Sequence, residues 1–188
     1  RWEARMVSDR LKDEKIDAIY ASALIRARET AEIIARPHGL PVKEVPDLNE
    51  MNFGEWEGLS ADEIVATFGE EGYRTWQQSP GEAVIPNGEN YAEFADRIEK
   101  GIKSIVEAHQ NETVLIVTHG GAIMALGCRL NGEELSCFRR YYCNNAAISI
   151  IELEGDACHF ELLNACDHLQ NYESQPDPIW PGGKEDRQ

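Results

Sequence analysis

The chain has no run of apolar residues long enough to cross a membrane as a helix and no signal-peptide pattern, so a soluble protein is expected. Basic side chains are also scarce. Eighteen Lys and Arg stand against 34 Asp and Glu, a net charge of −16, which argues against nucleic acid or an anionic membrane as partner. Any phosphate ligand would need a local cationic pocket. The five cysteines, at 128, 137, 143, 158 and 166, contain no CxxC pair and are odd in number. Neither a zinc site nor a disulfide framework is suggested, and a reducing cytoplasm is the expected compartment. No internal repeats are present, and 188 residues suit one domain without a second core.

What the chain does have is centred on Thr113 to Gly121, TVLIVTHGG. Val114 to Val117 is a continuous β-branched and aliphatic run, which predicts a strand covered on both faces, as in a parallel sheet. Gly120 and Gly121 then turn the chain into a helical pattern over Ala122 to Leu130. His119 is thereby placed at the carboxyl end of a strand beside a helix start, where ligands bind in open α/β sheets. Free backbone N–H groups and the helix dipole make such a junction an anion site, and phosphate is the obvious anion.

A second junction of this kind lies upstream. Arg1, Trp2, Met6, Val7 and Leu11 have helical spacing; Ile16 to Ala21 predicts a short strand ending at Ser22, read as the N-cap of a helix over Ala23 to Ala35. Arg26 falls in that helix's first turn, where a cation opposes the dipole unless an anion is near. Val42 to Val45 predicts an edge strand. Asp47 to Gly58, DLNEMNFGEWEG, predicts an irregular loop over the site, with Glu50 as a candidate proton donor and Trp56 as a wall.

Ser60 is placed to cap a helix through Phe68, and Tyr73 to Gln78 suggests another. Residues 59–89 contain six acids and one base, Arg74, and read as a lid insertion. Asn90 and Glu93 have capping-box spacing ahead of an apolar stripe, Tyr91, Phe94, Ala95, Ile98, Ile102, Ile105 and Val106. Glu133 to Phe138 reads as one more helical turn. Ala147 to Leu153 and Ala157 to Leu163 read as an antiparallel hairpin on the sheet edge. The fold class expected is α/β, a three-layer αβα sandwich with a mixed, mostly parallel sheet. One domain is expected over residues 1–166, with a polar, proline-containing tail over 167–188 anchored only by Ile179 and Trp180.

Three stretches, SALIRARETA at 22–31, LNEMNFGEWEG at 48–58 and VTHGG at 117–121, with PNGEN at 86–90, together resemble the histidine phosphatase superfamily, whose phosphoglycerate mutase-like members have these motifs in this order. The resemblance implies a metal-independent hydrolase without cofactor, in which a histidine in an Arg-His-Gly motif attacks phosphorus and becomes phosphohistidine. That motif does not occur here. RWEARMVSDRL is similar to the family's first helix, so the motif and a central strand are expected upstream of Arg1.

By the same resemblance Arg26 and Gly120 correspond to phosphate-binding positions, Glu50 to the general acid and His119 to the second pocket histidine. The substrate implied is a small phosphorylated metabolite, and the protein is expected as a monomer or homodimer. The acidic segment with Tyr73 and Trp76 is more similar to the broad phosphatase branch, including α-ribazole phosphatases and phosphoserine phosphatases, than to mutases, which need extra cations there. Its aromatics slightly favour a nucleoside-like leaving group. A non-catalytic phospholigand-binding protein on the same fold is the alternative from another class.

Overall fold

The computed structural model describes residues 1–154 and 157–169. Its elements run, in chain order, α1 (Trp2–Leu11), β1 (Ala18–Ala21), α2 (Ile25–Ala35), β2 (Val42–Glu44), α3 (Ala61–Phe68), α4 (Glu70–Gln78), α5 (Tyr91–Ala108), β3 (Val114–Val117), α6 (Gly120–Leu130), β4 (Ile148–Glu154) and β5 (Ala157–Ala165). Short 3-10 turns fill Pro46–Leu48, Gly54–Trp56 and Leu135–Tyr141. The last of these is the short helical turn expected over Glu133 to Phe138, beginning two residues later and ending at Tyr141. The protein is an αβα sandwich. Its sheet is parallel in the order β2-β1-β3, with Ile19 opposite both Val42 and Leu115.

Hydrophobic patterning explains the layers. Ile19 and Ala21 alternate to one face of β1 and pack with Ala31 and Ala35 of α2, while Leu115 and Val117 join them from β3. Val7 and Leu11 of α1 close over Ile34 against the same two β3 residues. A larger core gathers Phe94, Ala95 and Ile98 of α5, Ala122, Met124 and Ala125 of α6, and the aromatics of the intervening loops. Each fully buried side chain of that size stabilises the fold by about 1.5–3 kcal/mol. The α5 stripe therefore dominates the positioning of everything attached to α5.

Several expectations are corrected. Val114–Val117 is half-buried along its length, whereas β1 is the buried strand. The reason is position: among the described residues β3 pairs with β1 alone and leaves its other edge open. The hairpin forms, but as a separate two-stranded sheet in which, among the described residues, β4 and β5 pair only with each other. The capping box lies at Ser60 and Glu63 of α3, where both reciprocal bonds are made. At α5 the Asn90 side chain instead accepts from Ala92 N–H, one residue too early to form the box with Glu93.

Beyond residue 166, Leu169 is buried and His168 Nε2 donates to the Ala146 carbonyl. Ile179 and Trp180, the expected tail anchors, lie outside the described residues, as does the hairpin turn at Gly155 and Asp156. All five cysteines are free thiols, and among the described residues no helix is long and apolar enough to cross a membrane.

Candidate active site

Three segments meet at the carboxyl end of β1 and β3. The first is the β1–α2 junction. Ser22 is fully buried there, and it does not cap α2; the N-cap position belongs to Leu24, which makes no side-chain cap. The Ser22 hydroxyl accepts from the Leu24 N–H at 3.2 Å, donates to Asn49 Oδ1 at 2.9 Å and lies 2.7 Å from His119 Nε2. Asn49 Oδ1 also accepts from the Ala23 N–H, which identifies that atom as the oxygen. The single hydroxyl proton of Ser22 is then used towards Asn49, so His119 Nε2 carries its own proton and donates to Ser22.

The second segment is the β3–α6 junction. His119 is 8% exposed and stands at the N-cap position of α6. Burial, with the nearby charges of Arg26 and Arg97, pushes its pKa from 6.5 down to about 3. The pocket histidine is thus neutral when the pocket is empty. Gly120 opens the helix at its first position, where the N–H has no intrahelical acceptor. The glycine pair was expected to turn the chain beside an anion site. The structure separates the two residues. A Cβ on Gly120 would meet nothing nearer than the Cys143 carbonyl oxygen at 3.8 Å, whereas a Cβ on Gly121 would overlap the Glu50 carboxylate. Gly121 is small because Glu50 occupies its surroundings.

The third segment, residues 46–56, brings in Glu50. Its Oε1 accepts from the Met51 N–H at 3.0 Å and its Oε2 from the Gly121 N–H at 3.2 Å, so one N-terminal donor of α6 is already in use. Glu50 is half-buried, and Phe53, Trp76, Tyr91, Phe94 and Phe138 line the small pocket beside it. Desolvation raises its pKa, opposed by the two N–H donors and by the charges of Arg26 and Arg97. Thr118 ties the strand end to the same loop by donating to the Leu48 carbonyl at 2.8 Å. Gly54, at φ 51°, packs where a Cβ would overlap the Pro86 carbonyl, which seats the loop on the PNGEN turn. Arg26 is exposed in the first turn of α2, has no ion pair among the described residues, and still acts electrostatically on both Glu50 and His119.

Glu50, His119, Arg26 and Gly120 are therefore brought to one place, as the strand-end logic requires. Two residues expected near the site are not on its surface. Trp56 is buried in the core, 6.3 Å from the Tyr73 ring, and Trp76 packs edge-on against Phe53 and Tyr91 at 5.3 and 5.5 Å. The aromatics of residues 59–89 are chiefly core. Four participants escape a reading of the sequence: the contact made by Ser22, Asn49, Glu89 and Arg97. Only Arg97 carries a usable signal, a charge beside Ile98 and three residues beyond Phe94, on the edge of an otherwise apolar stripe. Among the described residues no group of three or more His, Cys, Asp or Glu stands ready to hold a metal ion.

With this geometry in view, residues 1–166 match the family model of the histidine phosphatase superfamily, branch 1, and the chain belongs to that superfamily. It is 30% identical over 170 residues to phosphoserine phosphatase 1 of Hydrogenobacter thermophilus, covering 90% of this chain and 80% of that one. It is 28% identical over 163 residues to the adenosylcobalamin/alpha-ribazole phosphatase of Escherichia coli, covering 87% and 80%. Among solved structures it is similar to Bacillus stearothermophilus YhfR, with a TM-score of 0.83, 30% identity and coverage of 88% and 82%.

The buried neutral His119 has a consequence for stability. In the unfolded chain it binds a proton below its ordinary pKa of 6.5, and in the fold only below about 3. Unfolding therefore takes up a proton between those values, and the fold loses stability as pH falls through that window. At pH 5 the loss attributable to His119 is about 2 kcal/mol. His119→Gln should remove that share, so the stability difference between variant and wild type, from urea unfolding at pH 7.5 and pH 5, should shift in the variant's favour on acidification. An unchanged difference would mean that His119 titrates normally in the fold.

Proposed function

We propose that the protein is a metal-independent phosphomonoesterase that hydrolyses a small phosphorylated metabolite through a phosphohistidine intermediate. The observation that carries this reading is the Glu50 carboxyl hydrogen-bonded to the amino end of α6 beside His119, with its pKa raised by desolvation. Arg26, the Gly120 N–H and His119 surround the position for a phosphoryl group and would neutralise its equatorial oxygens. A bound phosphate dianion reverses the local electrostatics. It raises the pKa of His119 towards protonation and further raises that of Glu50, which keeps its proton for the leaving group.

His119 is held through Nε2 by Ser22, and we assign the attacking imidazole to a separate histidine, that of the family's Arg-His-Gly motif. A parallel strand along the open edge of β3 would end beside His119, and we place the Arg-His-Gly nucleophile of the family there. In the first step its ring nitrogen bonds to phosphorus, the ester P–O bond breaks, and Glu50 protonates the departing alkoxide. In the second, water attacks phosphorus, the carboxylate of Glu50 takes a water proton, and the N–P bond breaks to release phosphate.

Two leaving groups have specific support. α-Ribazole is favoured by the Escherichia coli relative and phosphoserine by the Hydrogenobacter thermophilus one. Burial of Trp76 removes the aromatic argument for a nucleoside-like group. A mutase reading is disfavoured by the single, exposed Arg74 in residues 59–89. The full-length protein should release phosphate from α-ribazole 5′-phosphate or phosphoserine with turnover unchanged by chelator. Quenching in base should preserve a protein-bound phosphate that acid removes, as phosphohistidine requires. Dependence on added magnesium would overturn the mechanism, and tight phosphate binding without hydrolysis would favour a binding protein.

A further inference from the structure

Arg97 makes more side-chain hydrogen bonds than the fold of α5 needs. Its Nη1 donates to the Asp47 carbonyl at 2.9 Å and to the Asn49 carbonyl at 3.0 Å, the peptide oxygen immediately before Glu50. Its Nε and Nη2 grip Glu89 in a bidentate pair at 2.8 and 2.7 Å. Glu89 in turn reaches the far side of the acid. Its Oε2 accepts from the Asn52 N–H at 3.3 Å, and its own N–H donates to the Asn52 carbonyl at 2.8 Å. The backbone is thus held at residues 47, 49 and 52, on both sides of Glu50, by one ion pair anchored on α5. Both side chains are largely buried, and the guanidinium stacks over the Phe94 ring at 5.1 Å. Four of the five guanidinium N–H bonds are committed in a planar fork that lysine cannot reproduce.

We infer that the Arg97–Glu89 pair is a positioning clamp that sets both the place and the proton affinity of Glu50. The inference rests on the phosphomonoesterase reading only for the use made of that proton. Glu50 faces Arg26 from α2, Arg97 and the un-ionised Tyr91 hydroxyl from α5, and neutral His119 with the amino end of α6. Arg97 faces Glu89, while the Asp47 carboxylate is drawn away by Lys100 at 3.4 Å. Arg97 holds down the proton affinity of both Glu50 and His119. Glu89 offsets part of that charge, so the two partners act on Glu50 in opposite senses although they belong to one hydrogen-bonded unit.

That opposition is the test. In protein labelled with 13C-glutamate, the Glu50 carboxyl resonance, assigned by its loss in Glu50→Gln, is titrated in wild type, Arg97→Met, Arg97→Lys and Glu89→Gln. Arg97→Met should move the titration to higher pH and Glu89→Gln to lower pH. Arg97→Lys should leave it near wild type, because the charge stays, yet hydrogen exchange at the Met51 and Gly121 amides should quicken by about tenfold as the fork is lost. A clamp that only braces the loop would quicken exchange in all three variants without moving the titration in opposite directions, and that result overturns the proposal. If Arg97→Met fails to fold, Glu89→Gln and Arg97→Lys decide it alone. None of these readouts needs turnover: opposite shifts in a protein that hydrolyses no phosphate ester would sink the phosphatase reading and leave the clamp standing, while active enzyme with unmoved titrations would do the reverse.

Discussion

His119→Ala is expected to lower phosphatase turnover at least about a hundredfold, equivalent to about 3 kcal/mol of lost transition-state stabilisation. The imidazole is buried, neutral in the empty pocket and preorganised by its bond to Ser22 Oγ. With a phosphate dianion bound the imidazole gains a proton on Nδ1, and this positioned donor meets the charge developing on the phosphoryl oxygens in a low-dielectric site, where it is worth far more than in water. Substrate affinity should fall less than turnover, since the contribution is greatest in the transition state. The measurement is kcat and KM on the best ester found, alongside urea unfolding to show that the variant is folded. A folded variant with wild-type turnover would remove His119 from the mechanism.

Glu50→Gln should separate an acid from a residue that shapes the pocket. Glutamine preserves size, and its amide oxygen can still accept from the Gly121 or Met51 N–H, but it has no proton to give. A loss of about a hundredfold or more is expected on alkyl phosphates, whose leaving alkoxide needs protonation. On p-nitrophenyl phosphate the first step should be far less affected. Because dephosphorylation still wants a base, steady-state turnover would hide the difference, and the comparison belongs in the rapid burst of nitrophenol within a single turnover. Equal damage to burst and alkyl cleavage would show that Glu50 positions the substrate and donates nothing. The expectation draws on the apolar lining of Phe53, Trp76, Tyr91, Phe94 and Phe138 beside the carboxyl, whose desolvation raises its pKa.

The placement of the candidate site residues was legible in the sequence wherever it follows from local position on the chain. His119 ends a β-branched run and begins a helix, so its position at the carboxyl edge of a parallel sheet follows from strand and helix periodicity alone. Arg26 in a helix's first turn, and Glu50 in an irregular glycine-bounded loop, are legible for the same reason. The α5 stripe and the strand β1 were legible because burial repeats at the period of the element that makes it.

What the sequence could not determine depends on residues far apart in the chain, whose meeting leaves no local period. Gly121 is explained by a carboxylate 71 residues away, Ser22 by a histidine 97 away, and Arg97 by carbonyls 48 and 50 away. Trp56 carries the same local signal whether it walls a pocket or fills a core, and only packing places it inside. Proton affinities were likewise a tertiary matter. The same imidazole titrates near neutrality in water and near 3 in this fold, because desolvation and the fields of Arg26 and Arg97 arise only when three separate segments close around it.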